Sequence, residues 1–276
     1  MGLRIRTNVP SIQATNSLQK VKRDEFKTLQ KLSSGSRINS ASDDAAGLAI
    51  SEKLRSQIRS GNQAQRNAND GISLVQTAEG GMNEVSNLLI RLRELSIQSA
   101  SDTVGADERK FSDLEAQELA TEIDRIAKST EFNGRKLLSG EGGQVDLQVG
   151  IGNDEVADRI TYRPEEGNVS LDALGVSGIN VATKDDARNN LERIDNALNI
   201  VNGNRAQLGA IQNRLQVTMS NLEVQTENLS AANSRIRDAD IAVESANLAK
   251  QRILSEANTS VLSQTNGSMN SALKLI

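Results

Sequence analysis

The stretch LGAIQNRLQVTMSNLEVQTENLSAANSRIRDADIAV, residues 208–243, places Leu208, Leu215, Leu222, Leu229, Ile236 and Val243 every seven residues. Ile211, Ala232, Ala239, Ala246 and Ile253 fall on companion positions three further along. Side chains in this 3-4 alternation return to one face of an α-helix, so the track predicts a coiled-coil seam. Upstream, Leu191, Ile194, Leu198 and Val201 carry the alternation back to Thr183, a helix cap followed by Asp185 and Asp186 at the positive end of the helix dipole. No Pro interrupts the chain between Thr183 and Gln264, which predicts one or two long helices. Thr218 and Gln225 stand on companion positions and Lys250 on the Leu track. Such polar entries fix the register or mark a change of packing partner.

The amino-terminal half reads similarly. Ile5, Val9, Ile12, Leu18, Val21, Leu29 and Leu32 form a helical stripe, with Pro10 in the first turn or at the junction between an extended lead and the helix. Ser33 to Ser42 is polar and Gly-containing and reads as a hinge. A second helix is expected from near Ser42 to Ala100, with Asp43 and Asp44 in its first turn and a core stripe through Leu54, Ile58, Ala68, Ile72, Val75, Met82, Val85, Leu89 and Leu92. Gly71, Gly80 and Gly81 each weaken that helix by about 1 kcal/mol relative to Ala, so tertiary packing must support it. A third helix, Ala106 to Thr130, is expected to put Phe111, Leu114, Leu119, Ile123 and Ile126 on one side. Between 131 and 182 the period changes to two over Gln144 to Val149 and Arg159 to Tyr162, which predicts a β-hairpin. The fold class is therefore mainly α: a long coiled-coil helix bundle built from both chain ends, with a small β-hairpin region in the middle.

Composition supports long helices and excludes much chemistry. The 276 residues include no Cys, His or Trp, two Pro, one Tyr and three Phe. Without Cys or His there is no disulfide framework, thiolate nucleophile, zinc finger or Ser-His-Asp triad. With 1% aromatics the core must be built from aliphatic side chains, which suits packed helices better than a compact globule. No run reaches the roughly 18 apolar residues of a membrane span, and the start Met1-Gly2-Leu3-Arg4-Ile5-Arg6 has no apolar signal-peptide segment. Seven basic residues against Asp24 and Glu25 give the first 35 residues a net +5. Nucleic-acid grooves interleave aromatics for stacking and this arm has only Phe26, so its charge reads as a solvated helix face, with no nucleic acid as partner. Ser17-Leu18-Gln19-Lys20 fits the S-x-x-K pattern without the accompanying Ser-Asp-Asn or Lys-Thr-Gly, and lies on an amphipathic helix. Gly150-Ile151-Gly152-Asn153-Asp154-Glu155 lacks the spacing of a nucleotide loop or an EF-hand and reads as a hairpin turn. No catalytic residue, metal site or cofactor is expected, and the chain is read as a non-enzyme.

Four blocks carry a family resemblance. Leu32-Ser33-Ser34-Gly35-Ser36-Arg37-Ile38-Asn39-Ser40-Ala41-Ser42-Asp43-Asp44-Ala45-Ala46-Gly47-Leu48-Ala49-Ile50 resembles the amino-terminal signature of bacterial flagellin. Leu92-Arg93-Glu94-Leu95-Ser96-Ile97-Gln98-Ser99-Ala100 is similar to the end of that family's first long core helix. Glu122-Ile123-Asp124-Arg125-Ile126 with Phe132-Asn133-Gly134 resembles the turn into its β-hairpin, and Asn228 to Asp240 resembles the carboxy-terminal signature. About 50 residues separate the helical halves, enough for a hairpin and connection, so the resemblance is to a short member without additional outer domains.

The resemblance implies a secreted, extracellular subunit of the flagellar filament, a helical homopolymer for swimming motility that other flagellins could share. The alternative is a hook-filament junction or adaptor protein. It implies four segments: residues 1–42, an amino-terminal inner-layer helix and hinge; 43–182, outer-layer helices and hairpin; 183–234, an outer-layer long helix; and 235–276, a carboxy-terminal inner-layer helix. The polymerisation seam would comprise Ile5, Val9, Ile12, Leu18, Val21, Leu29, Leu32, Ile236, Val243, Ala246 and Ile253. Arg37, Asp43, Asp44, Arg235, Arg237, Asp238 and Asp240 would cross-link the inter-layer hinge by charge. Implied partners are the flagellar export chaperone, on Val261 to Ile276, the type III export apparatus, the filament cap and the hook-associated proteins. Arg91, Leu95 and Glu115 match the contact motif through which some flagellins meet a Toll-like receptor.

Overall fold

The computed structural model describes residues 7–273, with side-chain surroundings through Ser268. Its elements, in chain order, are α1 (Val9–Ser34), α2 (Ala45–Ala100), α3 (Ala106–Ser129), β1 (Glu131–Phe132), β2 (Arg135–Lys136), β3 (Val145–Gln148), β4 (Arg159–Tyr162), α4 (Lys184–Arg237) and α5 (Ile241–Leu273). The chain divides into two compact units, Met1–Ile58 with Glu227–Ile276, and Arg59–Thr226. Among the described residues, no helix is long and apolar enough to cross a membrane.

In the unit formed by the chain ends, α1 and α5 pair with each other. Asn8 caps α1 by accepting the Ser11 amide at 3.1 Å, Pro10 stands in the first turn, and Gly35 closes the helix at φ 66°, a left-handed conformation that favours glycine. The second helix begins at Ala45, three residues later than expected from Ser42. The carboxylates explain the shift. Asp43 Oδ2 accepts the Asn39 and Ser40 amides and the Ser40 hydroxyl, holding a turn, while Asp44 Oδ1 caps α2 through the Gly47 amide at 2.8 Å. At the carboxy-terminal side the helix is interrupted between Arg237 and Ile241, and Asp240 Oδ1 caps the new start by accepting the amides of Ala242 and Val243.

The Arg59–Thr226 unit is an aliphatic core. Ala68, Val75, Met82, Val85, Leu89 and Leu92 of α2 meet Ala116, Ile123 and Ala127 of α3, and Ile194, Ala197, Val201, Leu208 and Leu215 of α4. The α2 stripe and the Leu track of α4 thus turn inward as the sequence predicts. The glycines inside α2 have local partners: a Cβ on Gly71 would press on Leu147 and one on Gly81 on Leu138 and Thr130, so the β region lies close against the helix at both positions. Gly80 has open space around it.

The buried face of α3 follows the expected one in its second half, where Ile123 is buried and Leu119 and Ile126 pack against the core, and departs from it in the first. Phe111 is 71% and Leu114 61% exposed, while Ser112, Asp113, Ala116, Ile123 and Ala127 turn inward. Small residues allow close approach of the neighbouring helices. Buried Asp113 is fixed in place by a distant backbone group: its Oδ1 accepts the Val181 amide at 2.8 Å, tying down the chain that leads into α4. Thr183 Oγ1 accepts the Asp186 amide at 3.2 Å at the start of α4, as its capping role requires.

The predicted hairpin forms as the antiparallel pair β3–β4, with Val145 opposite Tyr162 and Leu147 opposite Ile160. A second, smaller hairpin precedes it. β1 and β2 pair antiparallel about Asn133 and Gly134, whose φ of 51° and 75° make the tight primed turn that suits an Asn-Gly pair. In the β3–β4 connection, Asp158 O accepts from Val149 and Gly150, and Asp154 Oδ1 accepts from Val156 and Ala157, so the Gly150 to Glu155 segment spends its polar groups on turn geometry.

Candidate functional site

The features that bear on assembly are the α1–α5 pair, the joint at its base, and the exposed face of α2 and α3. On α5, the positions half-covered by the pairing are Glu244, Leu248, Gln251, Ser255, Asn258, Leu262 and Thr265, a strict 4-3 alternation that is mostly polar. On α1 the covered positions include Ala14, Leu18, Val21, Glu25, Thr28 and Leu32. Polar contacts tie the helices: Ser11 Oγ donates to Asn266 Oδ1 at 3.1 Å, Lys31 pairs with Glu244 at 3.3 Å, and Arg252 with Glu25 at 3.9 Å.

The expected seam is therefore divided. Leu18, Val21, Leu32 and Ile236 are half-buried within the chain, whereas Val9, Ile12, Leu29, Val243, Ala246 and Ile253 are exposed, and Ile5 lies outside the described residues. Phe26, 70% exposed, joins the outward set, as do Leu254 and Val261. The continuous track expected from Leu208 to Ile253 is corrected here. It is buried through Leu222 and half-buried through Ile236, but the interruption before Ile241 shifts the covered face by one position, from Val243 to Glu244. A period-seven pattern in sequence does not register the three-residue break, so its phase is lost there.

The joint is closed mainly by backbone. Ser36 and Asp238 form an antiparallel bridge in which Arg37 N donates to Arg237 O at 2.6 Å and Ala239 N to Gly35 O at 2.9 Å. Arg37 adds a guanidinium bond to Ile236 O at 2.8 Å. The anticipated charge network takes another form: Asp43, Asp44 and Asp240 bond to local amides, Arg235 and Asp238 are exposed, and Arg237 pairs with Glu52. Amide donation from Ser40 and then Asn39 lowers the Asp43 carboxyl below its ordinary value, and the Arg237 hydrogen bond does the same for Glu52. Glu52 carried no signal in sequence, because its partner is far along the chain and an isolated acid in a polar helix is common.

On the Arg59–Thr226 unit, Arg91 bonds Glu115 through Nε at 2.9 Å and Nη2 at 2.8 Å, and reaches Glu94 at 3.0 Å. Glu115, then Glu94, hold the guanidinium in its charged form. Arg91 and Glu115 are thus brought together at the surface. Leu95 is not with them: at 2% exposed it belongs to the core, because it continues the inward stripe of Leu88, Leu89 and Leu92. Among the described residues, no group of three or more Asp or Glu gathers as a metal site.

Comparison with known proteins agrees across the chain. The family described as the bacterial flagellin N-terminal helical region matches residues 5–142, and the bacterial flagellin C-terminal helical region matches residues 191–276. A flagellin of Halalkalibacterium halodurans is 42% identical over 99% of both chains. A flagellin of Bacillus subtilis is 39% identical, covering 99% of this chain and 100% of its own. Among solved structures, a Bacillus cereus flagellin aligns with a TM-score of 0.51 at 30% identity, covering 61% of this chain and 94% of that one.

Proposed function

This chain belongs to the bacterial flagellin family, a structural subunit of the flagellar filament, and we propose that it polymerises through the apolar residues that its own α1–α5 pair leaves uncovered. Full-length similarity to flagellins favours the filament subunit over the hook-filament junction alternative.

The observation that carries the proposal is the division of the seam. Exposed Val9, Ile12, Leu29, Val243, Ala246 and Ile253 leave apolar surface in water that neighbouring copies would remove, while Leu18, Val21, Leu32 and Ile236 serve the pairing inside one subunit. Segments 1–42 and 235–276 form the inner layer and segments 43–182 and 183–234 the outer, with Arg37, Arg237 and the capping acids Asp43, Asp44 and Asp240 at the joint between them. Ordering of the ends is coupled to assembly, because the burial that favours it is completed only in the polymer.

The subunit's role in this reading is structural and not catalytic. It is exported by the type III apparatus to the cell exterior, with a chaperone shielding the segment from Val261 to Ile276, and it meets the filament cap and hook-associated proteins at the ends of the polymer. Arg91 and Glu115 form the surface that a Toll-like receptor would contact in a free subunit, with Leu95 supporting it from the core. Truncation tests the assembly reading. Removal of residues 1–32, or of everything after Ala239, is expected to abolish seeded filament growth while far-UV circular dichroism still reports a folded helical body. Filaments grown from either truncated chain would overturn it.

A further inference from the structure

The one non-glycine residue with a positive φ among the described residues is Asn133, at 51°, and Gly134 follows it at 75°. The pair makes the turn between β1 and β2, each of which is itself only 2 residues long. Asn133 and Gly134 are both exposed, and a Cβ on Gly134 would meet open space. Neither the Asn133 carboxamide nor the Gly134 amide makes a hydrogen bond among the described residues. An unengaged carboxamide thus stands next to an unengaged backbone N–H that no side chain shields.

The dipeptide occurs twice more, as Asn202-Gly203 and Asn266-Gly267, and the structure separates the three. Those two lie inside α4 and α5, where the ladder of helical hydrogen bonds takes up the glycine amide and fixes the backbone dihedrals around it. At the β1–β2 turn only two short rungs, Glu131 with Lys136 and Phe132 with Arg135, hold the chain. A hairpin of that size is marginal by itself, so the rotation that brings the Gly134 nitrogen onto the Asn133 side chain requires only a small local opening. Arg135, the next residue, is exposed and forms no ion pair among the described residues, and its charge favours the anionic form of the neighbouring amide nitrogen.

We propose that Asn133–Gly134 is a site of spontaneous covalent modification, where the chain cyclises to a succinimide and reopens in aspartyl and isoaspartyl forms. The Gly134 nitrogen, having lost its proton to base, bonds to Asn133 Cγ. The bond from Cγ to the side-chain nitrogen breaks, and that nitrogen leaves as ammonia with a proton taken from water. Water then adds to one of the two ring carbonyls and the ring opens. Breaking the ring bond between Cγ and nitrogen gives Asp at position 133; breaking the bond between the main-chain carbonyl carbon and nitrogen gives isoaspartate, in which the backbone runs through the side-chain carbons.

The second product bears on the fold. Its extra backbone carbon lengthens a turn whose primed geometry fits two ordinary residues, so the register of β1 against β2 is lost. Just beyond β2, Leu137 N donates to Thr130 O at 3.1 Å, and Leu137 and Leu138 are buried in the core. Thr130 and Leu138 are also the groups packed at Gly81 of α2. Modification at the tip therefore loosens the anchor that holds this part of the β region against α2.

The test uses the full chain, incubated warm in mildly alkaline buffer made with heavy-oxygen water and followed by peptide mapping with mass spectrometry. Asn133 is expected to exchange its side-chain nitrogen for heavy oxygen at least about tenfold faster than Asn202, which lies in the same compact unit and serves as the internal reference. Asp-N protease, which cuts before Asp and not before isoaspartate, is expected to leave part of the product uncut. The aged chain should melt earlier than the fresh one. An Asn133→Gly chain, which keeps a residue at ease with positive φ and has no carboxamide, should melt alike before and after incubation. Modification of Asn133 no faster than that of Asn202 overturns the proposal, and an equal loss on ageing in the parent and Asn133→Gly chains overturns its consequence for the hairpin.

Discussion

At the scale of single residues, side chains expected to act over long distances act mainly on nearby backbone. Asp43, Asp44 and Asp240 were legible as acids near helix starts, and each occupies a turn or cap. Their assignment as long-range cross-links was not legible, because a carboxylate finds amides in its own turn before it finds a distant cation. Tyr162, the chain's one tyrosine, shows the converse. Alternation placed it correctly on a strand, but its partner lies 25 residues away: the buried hydroxyl donates to Leu137 O at 2.7 Å. Tyr162→Phe leaves that buried carbonyl unpaired and should cost about 1–2 kcal/mol, read from urea unfolding. Burial pushes the Tyr162 pKa up to about 12 from an ordinary value of 10.0. Between those values the folded chain holds a proton that the unfolded chain has released, so this group's contribution is intact below about pH 10 and declines as pH rises towards 12. The Tyr162→Phe chain should lack this part of the alkaline decline when stability is measured across that range.

At the scale of elements, periodicity located the helices but misplaced the first turns of the α3 face and the covered face of α5. On α3 it counted Phe111 and Leu114 as core because they are apolar, whereas close helix packing selected Ala116 and Ala127. On α5 the break at 238–240 rotated the covered face onto Glu244, Gln251, Ser255, Asn258 and Thr265. Gln251 Oε1 is buried there without a hydrogen-bond partner among the described residues. A seam of this kind holds register while adding little burial, so the α1–α5 pair should be weak in a free subunit. Gln251→Leu removes the unpaired amide oxygen and adds apolar contact. Far-UV circular dichroism of the dilute chain should show more helix and a later melt, with a gain of about 1 kcal/mol or more. An unchanged spectrum and melt would mean that the polar seam does not limit the pairing.

At the scale of the whole molecule, the two compact units differ in how they are held. The Arg59–Thr226 unit contains the contiguous aliphatic core, while the unit of the chain ends rests on the polar α1–α5 seam and the backbone bridge at Ser36 and Asp238. Local stability should follow that difference. Limited proteolysis of the free chain is therefore expected to remove both ends and leave a resistant fragment close to residues 59–226; digestion at equal rates throughout would contradict it. The sequence by itself determined the helical class, the β3–β4 hairpin, the family and the absence of Cys and His chemistry, because these follow from local periodicity, composition and contiguous motifs. Only the tertiary structure decided which apolar residues are spent inside the subunit and which remain exposed, which acids cap and which pair, and that Phe111 and Leu114 face outward. Those outcomes depend on the phase of one helix against another, and a break of three residues is enough to change that phase without altering the pattern that announces the helices.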